Sequence, residues 1–378
     1  MNISKSALTI GIVGAGGFAG FAAKAFLQVE GIKIVAITDI HFTSATQLAD
    51  ELDAKAYRDY ETLLKDSSIN LVYIATPPYL HYSQSKMALL AGKHVICEKP
   101  AALKTIEAEE LVSIARAGQL LYVINLMQRY NPLFALVRNL VKEEVLGDFL
   151  HGFFENYASD ENLNPDHWFW DEEKSGGIFI EHGVHFFDLF SGWLGAGEMI
   201  HAAQWQRPDV EKKIVDRVEA TINYPKGPVT FYHGFDQPKI LDRQEMRLLF
   251  EKGDITLYEW VPVKIRLHGL FKKEQLQELE RTLGVHTIVR HNQPGANQKV
   301  RGRFHDLIFD DHVTLESGSI SDKQGRYQQL LIDMIKDQWN WILDRTHVRV
   351  INENNAVESL RMAEEATRIS KSYAAHSS

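Results

Sequence analysis

Short apolar runs alternate with helically spaced apolar positions through the first third of this chain. Leu8 to Val13, Ile32 to Thr38, Leu71 to Ala75, Val95 to Cys97 and Leu120 to Ile124 read as buried strands. Between them, residues 17–28 place Phe18, Phe21, Ala22, Ala25 and Phe26 near one helix face. Residues 43–52, 59–65, 80–91 and 105–117 also read as helices, the last two ending at Gly92 and Gly118. Strictly alternating strands and helices build βαβ units on a parallel sheet. After about residue 130 the pattern lengthens. Residues 148–157, 199–206, 213–224, 228–234, 244–251 and 253–260 read as strands, with turns at Tyr224-Pro225-Lys226-Gly227-Pro228 and Lys252-Gly253-Asp254. Such hairpins suit an antiparallel sheet. Residues 324–344 and 354–374 are amphipathic helices, and 270–320 is expected to be helix plus irregular structure.

The expected fold class is therefore α/β: a doubly wound parallel sheet over residues 1–127, then an α+β domain over 128–378 with an open, mainly antiparallel sheet. The C-terminal helix has the length to pack back towards the first domain. A cleft between two such domains is the default ligand site.

Composition narrows the class. The 378 residues and 45% apolar content suit two soluble globular domains. A net charge of -9, from 41 basic and 50 acidic side chains without a basic cluster, argues against nucleic-acid or anionic-membrane partners. A single cysteine, Cys97, excludes an intramolecular disulfide and a cysteine-based zinc site. The first nine residues carry one lysine and no long apolar region, and no run of about 18 apolar residues follows. No leader and no membrane span are expected, which fits a cytoplasmic location.

Candidate chemistry begins where the first strand ends. Gly14-Ala15-Gly16-Gly17-Phe18-Ala19 fits the G-x-G-x-x-G/A pattern of Rossmann dinucleotide-binding domains. Gly14 allows the tight turn, Gly16 lets backbone approach a pyrophosphate, and Ala19 lets helix and strand pack closely. The helix N-terminus offers free N–H groups and a positive dipole end. Asp39 ends the second strand, 20 residues beyond Ala19. A carboxylate there can bind both hydroxyls of an adenosine ribose and repel a 2′-phosphate. Ile40, His41, Phe42, Thr43 and Ser44 follow with no lysine or arginine, so NAD is expected in preference to NADP. A helix N-cap is the structural alternative for Asp39.

A second candidate lies at Glu98-Lys99-Pro100. Proline cannot continue a central strand and pushes its predecessor into extended geometry. Lys99 should thus stand at a strand end, where open α/β sheets bind ligands.

With these motifs the chain resembles the glucose–fructose oxidoreductase / inositol dehydrogenase / MocA family. The resemblance rests on five ordered segments: the glycine motif, Ile74-Ala75-Thr76-Pro77-Pro78-Tyr79-Leu80-His81, Ala91 to Pro100, Gln128-Arg129-Tyr130-Asn131-Pro132, and Ser175-Gly176-Gly177 followed by Glu181-His182-Gly183-Val184-His185-Phe186-Phe187-Asp188. It implies hydride transfer between NAD or NADP and a carbon–oxygen bond of sugars, cyclitols or related polyols, and a homodimer or homotetramer. It places Thr76, Pro77, His81, Glu98, Lys99 and Arg129 with the cofactor, and Lys99 and His185 nearest the reacting carbon. For Arg129 a surface salt bridge is the alternative. The family usually has aspartate where this chain has Glu181, which leaves three roles open for it: binding substrate, orienting His185 or pairing with Lys99. Two glycines rather than three precede this segment.

On a regular helix Glu181 and His185 share a face, His182 points about a quarter-turn away, and Asp188 returns near the same side. A metal at Glu181, His182 and His185 is the alternative, but the chemistry that the resemblance implies needs none, and no metal is expected there. An ordinary histidine titrates near about 6.5 and a lysine near about 10.4. His185 is therefore the easier general acid/base, with Lys99 holding the substrate oxygen. His167, Trp168 and Tyr157 are weaker candidates to line a substrate pocket, with core packing as the alternative. Two other readings stay open: a non-catalytic NAD or metabolite sensor, and an NAD-dependent glycosidase.

Overall fold

The structure, a computed structural model, describes residues 7–208 and 212–374. The first sheet is parallel and six-stranded: β1 (Leu8–Val13), β2 (Ile32–Thr38), β3 (Lys55–Tyr57), β4 (Leu71–Ile74), β5 (His94–Cys97) and β6 (Tyr122–Ile124), in the order β3-β2-β1-β4-β5-β6. The connecting helices are α1 (Gly17–Phe26), α2 (Phe42–Glu51), α3 (Tyr60–Leu64), α4 (Pro78–Leu90) and α5 (Thr105–Ala117). Every residue of β4 is fully buried, as are Ile10 and Ile12 of β1 and Val95 to Cys97 of β5. That explains why these strands read as continuous apolar runs rather than alternating ones. The strand order reverses between β1 and β4, the point at which doubly wound sheets bind ligands at their carboxyl ends. β3 was not expected: three residues on a sheet edge are too few to carry a period.

By contact, the chain forms two compact units. The first gathers the residues up to Tyr130 together with Asp166–Asp188 and Tyr327–Glu364. Within it, Tyr327 packs its ring against Phe18 and Phe21, with centroids 5.8 and 5.2 Å away. The Tyr130 hydroxyl donates to Asp337 at 2.6 Å, and the Thr105 N–H, at the start of α5, donates to Glu364 at 2.9 Å. That last bond satisfies one of the helix's unpaired first-turn donors from far along the chain.

The second unit gathers Asn131–Pro165, Leu189–Arg326 and the residues from Glu365 onward. Helix α6 (Pro132–Lys142) and β7 (Phe149–Tyr157) open it; α7 (Glu172–Ser175) belongs to the first unit, and α8 (Val184–Leu194) begins in the first and ends in the second. There follow β8 (Glu198–Gln206), β9 (Val215–Tyr224), β10 (Gly227–Gly234), β11 (Arg243–Phe250), β12 (Gly253–Tyr258) and β13 (Lys264–Phe271). Then come α9 (Lys273–Leu283), β14 (His286–Arg290), β15 (Gln298–Arg301), β16 (Asp306–Phe309) and β17 (Asp311–Gly318); α10 (Lys323–Leu343) and α11 (Glu353–Ala374) are shared, with residues 327–364 in the first unit. Nine strands form one sheet in the order β14-β17-β13-β12-β11-β7-β10-β9-β8. It is antiparallel except where β10 runs parallel to β7. Along β13 and β17 the pattern alternates: Ile265, Leu267, Val313 and Leu315 are buried on one face, while Arg266, His268, His312 and Thr314 sit half-buried on the other.

The segment 270–320 departs from expectation. α9 is present, but most of the rest is strand, with β15 and β16 pairing as a hairpin. β14 and β15 bury no residue and β16 is only four residues long, which leaves too little of a period to read without their partners. Among the described residues no helix is long and apolar enough to cross a membrane.

Candidate active site

The site residues of the first unit collect at the carboxyl ends of β1, β2, β4 and β5. At the end of β1, Gly14 has φ of 94°, a conformation that L side chains rarely adopt, and a Cβ there would lie 2.5 Å from the Ala75 carbonyl oxygen. Only glycine lets β1 and the loop after β4 approach this closely. Gly16 and Gly17 are exposed, and a Cβ on either would meet nothing within 4 Å. α1 starts at Gly17 with no side-chain cap, so its first turn presents backbone donors to open space, as an anion cradle requires. Ala19 is buried, and Phe18 is half-buried against Tyr327.

Asp39, half-buried at the end of β2, accepts from the Ala15 N–H through Oδ2 and from the His41 N–H through Oδ1, each at 2.7 Å. These bonds fix its carboxylate against the glycine turn. After β4, the Thr76 hydroxyl donates to Gln84 at 2.6 Å, and Pro77 precedes α4. His81 is buried, its Nδ1 2.7 Å from the Pro100 carbonyl and its Nε2 2.6 Å from the Thr76 carbonyl. Burial pushes its pKa down against the pull of these two carbonyls. His81 thus ties the loop after β4, at Thr76, to the loop after β5, at Pro100.

At the end of β5, the Glu98 carboxylate accepts from the Tyr73 hydroxyl and, at 2.7 Å, from the Asn125 amide. Burial raises its pKa, opposed by these bonds. Lys99 Nζ donates to the Glu181 carboxylate and, at 2.9 Å, to the Glu181 main-chain carbonyl. Of the three roles open to Glu181, pairing with Lys99 is present in the structure.

Glu181 reaches Lys99 from an irregular turn. Asp171 caps α7, Gly176 follows with φ of 80°, and a Cβ there would lie 2.6 Å from Ile180 Cγ2. Phe179–Gly183 is then wound as a π-helical turn ahead of α8. This corrects the regular helix expected over Glu181 to His185, because the wider turn changes the angular step between them. Such turns occur at functional sites, and apolar spacing cannot foretell one. His182 is half-buried, with a pKa lowered to about 3 by burial and then by Lys99. Burial, then the charges of Lys99 and His182, hold buried His185 well below the ordinary imidazole value. Both imidazoles are therefore neutral at pH 7.

Arg129 lies in a buried pair rather than at the surface. Its Nε donates to Asp188 Oδ2 at 2.7 Å and its Nη2 to Oδ1 at 2.8 Å and to the main-chain carbonyl at 2.6 Å. Beside it stands Gln128, to which no sequence pattern assigns a role. The Gln128 side chain is 2% exposed, and neither its oxygen nor its nitrogen has a protein partner. A buried amide left this way costs free energy until it meets a polar ligand or water.

His167 caps a short turn over Trp168–Trp170, its Nδ1 accepting from the Phe169 N–H at 3.3 Å. Its ring centroid is 5.2 Å from that of Trp168. Tyr157 belongs to the second unit, half-buried at the end of β7, with the Arg243 guanidinium 4.5 Å from its ring centroid.

His94, at the start of β5, yields a pH prediction. Its Nδ1 accepts the Leu121 N–H at 3.0 Å, so the ring must be neutral in the folded state. Burial and then Arg345 lower its pKa to about 4. The unfolded chain binds this proton from about pH 6.5 downward while the folded chain refuses it. Stability is thus whole above about pH 6.5 and falls as pH drops towards 4, by about 3 kcal/mol from this group at most. His94→Asn keeps an acceptor but cannot titrate. Urea midpoints measured from pH 7.5 to 4 should fall less steeply for this variant, and parallel curves for the two proteins would rule His94 out.

Comparison with known proteins agrees with this architecture. Residues 8–126 match the family described as "Oxidoreductase family, NAD-binding Rossmann fold", and residues 134–256 match the GFO/IDH/MocA C-terminal domain. The chain belongs to the GFO/IDH/MocA oxidoreductase family. Over 198 residues it is 29% identical to trans-1,2-dihydrobenzene-1,2-diol dehydrogenase of Bos taurus, covering 52% of this chain and 57% of that protein. Over 210 residues it is 30% identical to an uncharacterized oxidoreductase of Synechocystis, covering 53% and 56%. The aligned stretch thus spans little more than half the length of the curated relatives it matches. Among solved structures, the WlbA dehydrogenase of Bordetella pertussis, in complex with NADH and UDP-GlcNAcA, superposes with a TM-score of 0.78 at 16% identity, covering 98% of this chain and 97% of that one. Levoglucosan dehydrogenase, in complex with NADH and levoglucosan, gives 0.74 at 16% identity, covering 97% of each chain. These likenesses establish a shared fold.

Proposed function

We propose that this protein is an NAD(P)-dependent dehydrogenase or reductase that moves a hydride between nicotinamide and a hydroxyl-bearing carbon of a sugar, cyclitol or related polyol. The observation that carries this reading is the meeting of Lys99, from the end of β5, with the Glu181–His185 turn inside the glycine-motif unit. The open N-terminus of α1, the Asp39 carboxylate and the unpartnered Gln128 amide fit a dinucleotide held nearby. Dehydrogenases among the relatives and fold neighbours support the reaction class.

A bound nicotinamide supplies the hydride acceptor. The remaining work falls to this chain. Lys99 has three N–H donors, and two go to Glu181. The third is available to a substrate hydroxyl oxygen, where the ammonium stabilises charge as the carbonyl forms. His185 is neutral at pH 7 and can take the hydroxyl proton; once protonated, its lowered pKa makes it a strong acid for the reverse reaction. The test is a panel of sugars, cyclitols and sugar acids, followed by absorbance at the NADH band. Tight NAD binding with no turnover on any member would instead favour a sensor, and product release without net NADH a glycosidase.

Preference for NAD over NADP rests on Asp39, whose carboxylate would face a 2′-phosphate. Asp39→Ser is expected to narrow the ratio of NADP to NAD dissociation constants by about tenfold or more, roughly 1.4 kcal/mol. Calorimetric titration of both cofactors measures it, and an unchanged ratio would place discrimination elsewhere.

A further inference from the structure

Three histidines that no sequence motif connects meet in the second unit. β13 pairs with β17 so that His268 stands opposite Thr314 and Leu270 opposite His312. His268 and His312 are therefore diagonal neighbours on the half-buried face. His291 follows β14 and donates its backbone N–H to the His312 carbonyl at 2.8 Å, which brings a third imidazole to the same place. The ring centroids are 5.1 Å apart for His268 and His312, 4.7 Å for His291 and His312, and 5.7 Å for His268 and His291. One nitrogen from each ring lies within 4.8 Å of the other two, and Nε2 of His268 is 3.0 Å from Nε2 of His312.

Neighbouring side chains aim these rings. Asp254 pairs directly with His268 across β12 and β13, and its Oδ2 lies 3.1 Å from His268 Nδ1. An ionised carboxylate only accepts, so Nδ1 carries the hydrogen and Nε2 turns a lone pair towards His312. A carboxylate behind a ligating histidine is the usual support for a bound metal. The other Asp254 oxygen accepts from Arg266 at 3.1 Å, which anchors it. Thr314 Oγ1 sits 2.8 Å from His291 Nε2 and holds that ring in turn.

We infer that His268, His291 and His312 form a binding site for one divalent transition-metal ion of the zinc class, with Asp254 orienting His268 and a fourth position open to water or an external ligand. Tetrahedral zinc holds nitrogens at about 2.0–2.1 Å, which sets them about 3.3 Å from one another. The observed spacing, from 3.0 Å to at most 4.8 Å, closes on that geometry with small ring rotations. The ion would clip together β14, β17 and β13, the three strands at one edge of the sheet. The inference stands apart from the dehydrogenase reading, since it uses no residue of that site.

The test uses untagged full-length protein stripped with chelator, titrated with Zn2+ by calorimetry and with Co2+ by visible absorption. One equivalent per chain is expected, with the ligand-field bands of tetrahedral cobalt. His291 is exposed, so His291→Ala should keep the fold by circular dichroism while losing about a hundredfold or more in affinity. Asp254→Asn should lose about 10–100-fold. His151→Ala, on β7, should bind as the parent does. Absence of saturable binding, or binding that His291→Ala and Asp254→Asn leave intact, would overturn the site.

Discussion

Replacing Lys99 with methionine is expected to lower turnover by about 10²–10⁴-fold while leaving the NAD dissociation constant nearly unchanged, the range that positioned proton-transfer and polarising groups supply. The side chains of Lys99 and Glu181 are only 18% and 11% exposed, so this ammonium works with little water around it, where its charge acts strongly. Methionine keeps an unbranched side chain one atom shorter and removes every donor. It also leaves the Glu181 carboxylate without its cation, so a drop in activity could come from a disturbed turn. Lys99→Met combined with Glu181→Gln removes that buried charge. If the loss is chemical, the double variant regains thermal stability and stays inactive. Recovery of turnover in the double variant, or normal turnover in the single one, would remove Lys99 from the reaction.

The second large effect is structural. The Arg129 and Asp188 side chains are 13% and 4% exposed and meet in a bidentate pair, which Asn355 joins at 3.2 Å from Asp188 Oδ1. Breaking a buried pair from one side leaves an uncompensated charge, at a cost of about 3–5 kcal/mol. Asp188→Ala should show that loss in urea unfolding. Arg129→Leu with Asp188→Leu removes both charges and is expected to be less destabilised than Asp188→Ala alone. A loss below about 1 kcal/mol in Asp188→Ala would mean that the pair behaves like a solvent-exposed one.

What the sequence made legible follows from local physics. The strands of the first sheet are buried on both faces, so Leu71 to Ala75 and Val95 to Cys97 stood out as apolar runs. Gly14 and Pro100 have few conformational options, and both marked strand ends correctly. The pairing of Lys99 with Glu181 could be named only as one of three alternatives, because nothing local selects a partner 82 residues away. The Arg129–Asp188 pair spans 59 residues and was equally out of reach. The π-helical turn keeps the same apolar residues that a regular helix would use. β13 to β17 carry polar side chains on one face, and only their register shows that His268, His291 and His312 belong together.

The first unit also has an order in time. Its earliest segment, through Tyr130, holds the glycine turn and Lys99, yet Glu181 lies in a second segment, and Tyr327, Asp337 and Glu364 lie in a third. A ribosome making this chain releases the lysine 82 residues before its carboxylate partner, and the helix that opens at Thr105 waits 259 residues for Glu364. The parallel sheet can be made first, but the unit around it is completed only when its third segment has emerged.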